Sequence, residues 1–108
     1  MIFKNNRTLY ELLKLYGKES LVDKIPESLR EERLGIYGGN FIDMVVAQES
    51  WIDTAVANYL SSPEFLDDLK RADDEWSNRT EYNVYWIQLE LDSQNQIHLQ
   101  VDFDIKDF

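Results

Sequence analysis

The last quarter of the chain changes from a helical to a strand pattern of apolar residues, and this change most limits the fold. Apolar side chains alternate with polar ones in two runs, residues 85–91 and residues 97–105. A period of two is typical of strands with one buried face. Residues 92–96, which separate the runs, are rich in turn-forming types. The sequence therefore predicts an antiparallel β-hairpin.

The register of this hairpin follows from placing both apolar runs on one face. Paired residue numbers must then sum to an even value, so we expect Leu91 opposite Ile97 and a loop of about three to five residues. His98 then faces outward, opposite Glu90. Because a bare hairpin is marginally stable, we expect it to pack on helices or to gain a further strand, for which Met1–Lys4 is a candidate.

Helical spacing dominates the chain before the hairpin. The apolar residues between 9 and 16 predict a helix that is capped by Asn6 or Thr8 and ended by Gly17. A capping-box-like spacing from Ser20 predicts a second, short helix.

Pro26 fits the first position of a further helix, with Leu29 and Leu34 inward and Gly35 as its stop. The glycine-rich residues 35–40 then predict a loop.

Asn40 begins the strongest predicted helix, whose apolar stripe extends to Tyr59. Glu49 projects into this stripe, and we favour an uninterrupted helix with Glu49 at the edge of the stripe. The alternative is a helix break, since residues 50–53 resemble a new capping box. A break would present Glu49 and Trp51 outward at a corner.

Ser62 and Pro63 predict the start of the last helix, by an N-cap followed by proline at the first helical position. Its inward residues are expected to be Phe65, Leu66, Leu69 and Ala72. Three carboxylates at residues 73–75 close this helix and oppose its macrodipole.

These elements predict an α+β fold, in which four or five N-terminal helices precede a C-terminal antiparallel β-hairpin. The N-terminal residues can extend the hairpin into a small sheet. The chain has 108 residues, so we expect residues 1–108 to form a single domain.

The charge of the chain narrows the classes of function. The net charge is −10, and residues 64–108 hold twelve acidic and four basic side chains. Such acidity disfavours direct binding of nucleic acid or of an anionic membrane, both of which need a basic face. Residues 1–7 lack the apolar stretch of a secretory signal, and no apolar run approaches the ~20 residues that span a bilayer. We therefore expect a soluble, cytoplasmic protein.

Motifs for catalysis or metal binding are absent from the sequence. It has no cysteine, a single histidine at His98, no phosphate-binding glycine loop and no hydrolase or metalloprotease signature. Asp102 and Asp104 superficially resemble a calcium ladder but lack the loop glycine and the closing glutamate. We therefore predict no enzyme activity, no cofactor and no metal site.

Acidic and aromatic residues around the last two helices are the candidate binding surface. A patch of this composition steers and anchors a basic protein. The predicted partner-binding residues are Glu49, Trp51, Asp53, Glu64, Asp67, Asp68, Asp73, Asp74, Glu75 and Trp76. The alternative is that these carboxylates only keep the protein in solution.

Two tryptophans leave alternatives open. Trp86 lies on the outward face of its predicted strand, and we favour its burial over its presentation to a partner. Trp76 follows the acidic run 73–75 and fits either role.

In general type, a short, acidic, motif-free chain resembles bacterial toxin-immunity proteins. We therefore expect an inhibitor that binds a basic, nucleic-acid-acting toxin or nuclease and masks its active site. Two alternatives are an antagonist of a restriction or CRISPR nuclease that imitates nucleic acid, and a non-inhibitory subunit of a complex. The hairpin edge also offers a surface for a homodimer.

Overall fold

The computed structural model describes residues 6–35 and 49–106, and in this part of the chain helices combine with a three-stranded sheet. The predicted α+β class is confirmed. The α-helices of the described part are α1 (Leu9–Leu15), α2 (Trp51–Leu60) and α3 (Pro63–Ser77). The strands are β1 (Leu34–Gly35), β2 (Asn83–Leu91) and β3 (Ile97–Ile105), in the order β1-β2-β3.

Helix α1 has the ends that the sequence predicts. The Thr8 hydroxyl accepts a hydrogen bond from the Glu11 amide at 3.1 Å, so Thr8 rather than Asn6 is the N-cap. Gly17 follows the helix with a φ of 70°, a left-handed conformation that glycine adopts without strain.

The segment after α1 differs from its prediction. Its two short helices are single 3-10 segments, Glu19–Lys24 and Glu27–Leu29. Leu34, predicted as an inward helical residue, lies in β1 and pairs in parallel with Ile87 of β2. The backbone turns to strand because the Leu34 amide donates to the Arg7 carbonyl at 2.8 Å instead of to a preceding turn.

The third strand of the sheet is therefore Leu34–Gly35, inside the region predicted to be helical. The proposed strand at Met1–Lys4, the rest of the predicted loop at 35–40 and the predicted helix start at Asn40 lie outside the described residues.

Helix α2 begins at Trp51, and Glu49 and Ser50 precede it outside the helix. The favoured uninterrupted helix through Glu49 is thus wrong. Helix α2 starts just after Glu49, as the alternative expected, but the Ser50 side chain makes no capping hydrogen bond. The residues directly before Glu49 lie outside the described part of the chain. The Glu49 carboxylate accepts a hydrogen bond from the Trp51 indole N–H at 2.6 Å and stays exposed. An exposed position avoids the desolvation that a carboxylate inside the apolar stripe would suffer.

Helix α3 begins at Pro63 after the Ser62 N-cap, as predicted, and buries Phe65, Leu69 and Ala72. Leu66 was expected to point inward but is 41% exposed, because the inward face continues through Asp68 instead. With 15 residues α3 is the longest helix of the described part, and no helix there is long and apolar enough to cross a lipid bilayer.

The hairpin has the predicted register. Leu91 pairs with Ile97, and the five residues 92–96 form the loop. Its inner face packs on the helices, with Ile87, Leu89 and Leu99 buried. The hydrophobic core joins this face to α1, α2 and α3, and its largest fully buried side chains include Leu9, Leu12, Leu13, Leu29, Leu34, Ile52, Leu60 and Phe65.

The N-cap of α1 gives a test of the local design of this fold. Replacing Thr8 by alanine leaves the Glu11 amide without its acceptor, and we expect a loss of about 1 kcal/mol in the free energy of unfolding. Thr54→Ala, at an exposed position inside α2, is the control and should change stability by less than about 0.5 kcal/mol. Urea denaturation measures both; equal effects would contradict the capping role.

Candidate functional site

A buried pair of polar side chains, Tyr59 and Asp68, joins the two long helices to the hairpin. Tyr59 lies in the last turn of α2 and is 7% exposed, and Asp68 lies on the inward face of α3 and is 4% exposed. The Tyr59 hydroxyl donates to Asp68 Oδ2 at 2.5 Å and accepts from the Leu99 amide of β3 at 2.7 Å. The Tyr59 hydroxyl and the Leu99 amide therefore both have hydrogen-bond partners inside the core.

Arg71 neutralises the buried carboxylate. Its Nη2 lies 3.1 Å from Asp68 Oδ1 and donates to the Leu99 carbonyl at 3.0 Å. The guanidinium is half exposed, so it balances the charge of Asp68 while keeping contact with water. Together, Tyr59 and Arg71 hydrogen-bond both backbone groups of Leu99 on the outer edge of β3.

His98 completes the cluster from the hairpin. Its Nδ1 lies 3.3 Å from Asp68 Oδ2, its Nε2 lies 3.0 Å from Asp92 Oδ2, and its ring meets that of Tyr59 edge-on. The Asp92 carboxylate also accepts the amides of Gln96 and Gln94, and these hydrogen bonds, with His98, lower the pKa of Asp92.

The sequence predicted a His98–Glu90 pair, and the structure corrects this. The two residues are opposite in register, as expected, but the His98 ring contacts Asp68 and Asp92. Glu90 instead accepts a hydrogen bond from Gln88. The reason is that α3 passes beside β3 and brings Asp68 within reach of His98, which no strand register reveals.

A cleft of about 270 Å³ opens beside this cluster, lined by residues of α2, α3 and the hairpin loop, among them Asn58, Ser62, Glu64 and His98. The Ser62 hydroxyl donates to the Tyr59 carbonyl, and both His98 ring nitrogens face carboxylates. These contacts hold α2, α3 and the hairpin together. In the described residues, no three His, Asp or Glu side chains are placed to hold a metal ion.

The outward face of the sheet is partly buried at its centre. Gln88 is 1% exposed; it accepts from the Trp86 indole at 2.7 Å and donates to Glu90 and Asp102. Burial, together with the charge of Asp102, raises the pKa of Glu90. Trp86 is half-buried in this polar row, between the two alternatives that the sequence left open.

The ten predicted partner-binding residues divide into groups with different surroundings. Four of them lie exposed on α3. Among the described residues, the ion pairs made by arginine are Arg33 with Glu11 and Arg71 with Asp68, so they do not involve these four carboxylates. These exposed carboxylates are Glu64, Asp67, Asp74 and Glu75.

The other candidates contact their own neighbours. Asp53 accepts a hydrogen bond from the Tyr16 hydroxyl at 2.7 Å, which ties α2 to α1, and Asp73 accepts from Ser28 at 2.5 Å. Glu49 and Trp51 bond to each other at the start of α2. No hydrogen bond links these residues to the exposed carboxylates of α3 within the described part of the chain.

Asp68 and Trp76 occupy positions unlike those expected of contact residues. Asp68 is buried in the cluster, and Trp76 is 6% exposed in the core, with the Arg79 guanidinium 4.7 Å above its ring. The sequence did signal Asp68, because Phe65, Asp68 and Ala72 follow helical spacing on one face. Tyr59 and Arg71 were missed, since their partners come from other elements.

Comparison with known proteins does not extend this description. The chain matches no protein-family model, no curated protein and no solved structure.

The Tyr59 hydroxyl gives the first test of this cluster. Tyr59→Phe leaves the Leu99 amide without a partner and removes one of the two partners of Asp68 Oδ2, the other being His98. We therefore expect a loss of about 1–3 kcal/mol in unfolding free energy. Tyr16→Phe removes one half-buried hydrogen bond to Asp53 and should cost about 1 kcal/mol or less. Chemical denaturation decides; a larger effect at Tyr16 would contradict the central role of Tyr59.

The pH dependence of stability gives a second test. Burial and the hydrogen bond to Asp68 raise the pKa of Tyr59 above the ordinary 10.0. The unfolded chain thus loses this proton at a lower pH than the folded protein, and the stabilisation is complete below pH 10 and declines above it. Tyr59→Phe should flatten the loss of stability between about pH 10 and 12. An unchanged slope in denaturation series at these pH values would refute the assignment.

Proposed function

We propose that this protein is a small inhibitor that binds a basic, nucleic-acid-acting protein and masks its active site, in the manner of immunity-type proteins. The observation that carries the proposal is the set of exposed carboxylates on α3, Glu64, Asp67, Asp74 and Glu75, which have no ion-pair partner among the described residues. Such charges attract a basic surface and speed its association.

The arrangement of the buried cluster supports the same proposal. Arg71, one of two basic residues in α3, is engaged by Asp68 and by the Leu99 carbonyl. Its positive charge is therefore balanced within the fold. It does not neutralise the exposed carboxylates Asp74 and Glu75 further along α3. Lys70 remains exposed among them.

The spacing of charge favours a local contact over imitation of nucleic acid. Asp67 and Asp74 are two helical turns apart, about 10 Å along the axis, and Lys70 and Arg71 lie between them. A mimic of a phosphate backbone needs an evenly acidic face. We therefore favour an inhibitor that covers a small area of the partner's binding site over one that imitates nucleic acid.

Charge reversal on α3 tests the proposal. The quadruple variant Glu64→Lys, Asp67→Lys, Asp74→Lys and Glu75→Lys avoids every carboxylate that bonds within the described fold. We expect it to lose the partner that the wild-type protein captures from a cell lysate at low salt, because the attraction is electrostatic. The captured protein's nuclease or toxin activity should be suppressed by the wild type and restored with the variant.

The matched control reverses four exposed carboxylates in the N-terminal part: Glu19, Asp23, Glu27 and Glu31. It changes the net charge by the same amount and should still capture and inhibit the partner. An equal loss of partner capture in both variants would show that only the net charge of the protein matters. Retention of a multi-subunit assembly by all three proteins would instead favour the accessory-subunit alternative.

A further inference from the structure

The outer edge of β3 is closed at one end. β3 is the last strand in the order β1-β2-β3, so one side of its backbone has no strand neighbour within the described residues. At Leu99 the amide donates to the Tyr59 hydroxyl and the carbonyl accepts from Arg71. Side chains of α2 and α3 thus occupy the edge at this point, as proteins commonly protect edge strands.

Beyond Leu99, no strand or helix of the described residues hydrogen-bonds to this edge. Because the Leu99 backbone points outward and strand residues alternate, the amides and carbonyls of Val101, Phe103 and Ile105 point outward as well. The Phe103 amide donates to Asp102 Oδ1 of the preceding residue at 2.9 Å. No hydrogen bond from another described residue reaches Val101 or Ile105 on this side.

Two exposed apolar side chains lie along this stretch of β3: Phe103 is 51% exposed and Ile105 is 77% exposed. Val84 of β2, which is 50% exposed, pairs with Asp104 and therefore lies on the other face of the sheet. Large apolar side chains beside an unpaired edge mark a surface that gains by being covered.

The acidic residues of this edge indicate which kind of strand can pair with it. Asp102 and Asp104 alternate with the apolar residues, so β3 offers an apolar face and an acidic face along one strand. Consider a second copy whose β3 pairs antiparallel with this edge, with Phe103 opposite Phe103. Asp102 of one copy would then lie opposite Asp104 of the other, and like charges in that position repel. A strand with alternating apolar and basic residues satisfies both faces.

We propose that the edge Val101–Ile105 binds an extended segment of the partner by strand addition, and that this segment alternates apolar residues with Lys or Arg. This inference rests on the proposed function, whose basic partner it describes further. The partner's backbone pairs with the outward groups of Val101 and Ile105, its basic side chains face Asp102 and Asp104, and its apolar side chains cover Phe103.

A peptide experiment tests the edge without the natural partner. The probe is a synthetic peptide of alternating Val and Lys, with the nine-residue length of β3. We expect it to slow amide hydrogen exchange at Val101 and Ile105, whose amides point outward, while Gln100 and Asp104, which already pair with β2, change little. A block isomer with the same composition should bind about tenfold more weakly, since only alternation fits the two faces.

Two protein variants provide matched controls. Asp104→Lys on the edge and Asp74→Lys on α3 make the same charge change at exposed positions. We expect about a tenfold loss of peptide affinity for Asp104→Lys and less than about a twofold change for Asp74→Lys. Ile105→Pro, which removes one outward amide at an edge position where proline is tolerated, should also abolish peptide binding.

The outcomes separate this inference from the proposed function. Peptide binding without protection of Val101 and Ile105, or equal losses in both lysine variants, would overturn strand addition. Protection that depends on protein concentration without peptide would assign the edge to a second copy and refute the basic strand. If Ile105→Pro still captures and inhibits the lysate partner, the edge inference fails while the inhibitor proposal stands.

Discussion

The buried carboxylate of Asp68 is the interaction on which the rest of the structure depends. A charge that is removed from water costs several kcal/mol unless its oxygens are bonded. Asp68 has three partners from three places: Tyr59 in α2, Arg71 one turn further along α3, and His98 in β3. These bonds are satisfied together only when both helices and the hairpin are in place, so one charged group sets their relative positions.

The same cluster determines how the edge strand is used. Because Tyr59 and Arg71 bind the backbone of Leu99, side chains of the helices cover the outer edge of β3 at this residue. The far half carries no such closure in the described structure and presents Phe103 and Ile105. One strand therefore contributes to stability near the loop and carries, at its other end, the edge that we propose as a binding surface.

The sequence correctly predicted the features that depend on residues close together in the chain. The hairpin register followed from alternation alone, and the cap at Thr8 and the start of α3 followed from residue type. The short strand Leu34–Gly35 could not be predicted, because two residues carry no period and their partner is Ile87, far along the chain. The contact of His98 with Asp68 depends on how α3 packs on β3, and strand register is silent about it.

The acidic residues show why composition alone misjudges a site. Asp68 and Glu64 lie in the same helix and count equally toward net charge. Asp68, however, is bound by three side chains and fixes the fold, whereas Glu64 is exposed without an ion pair among the described residues. Carboxylates of the second kind can attract a partner without giving up a bond that holds the fold together. An acidic binding surface is therefore defined by the carboxylates that the fold leaves unused, and on α3 these are the ones facing water.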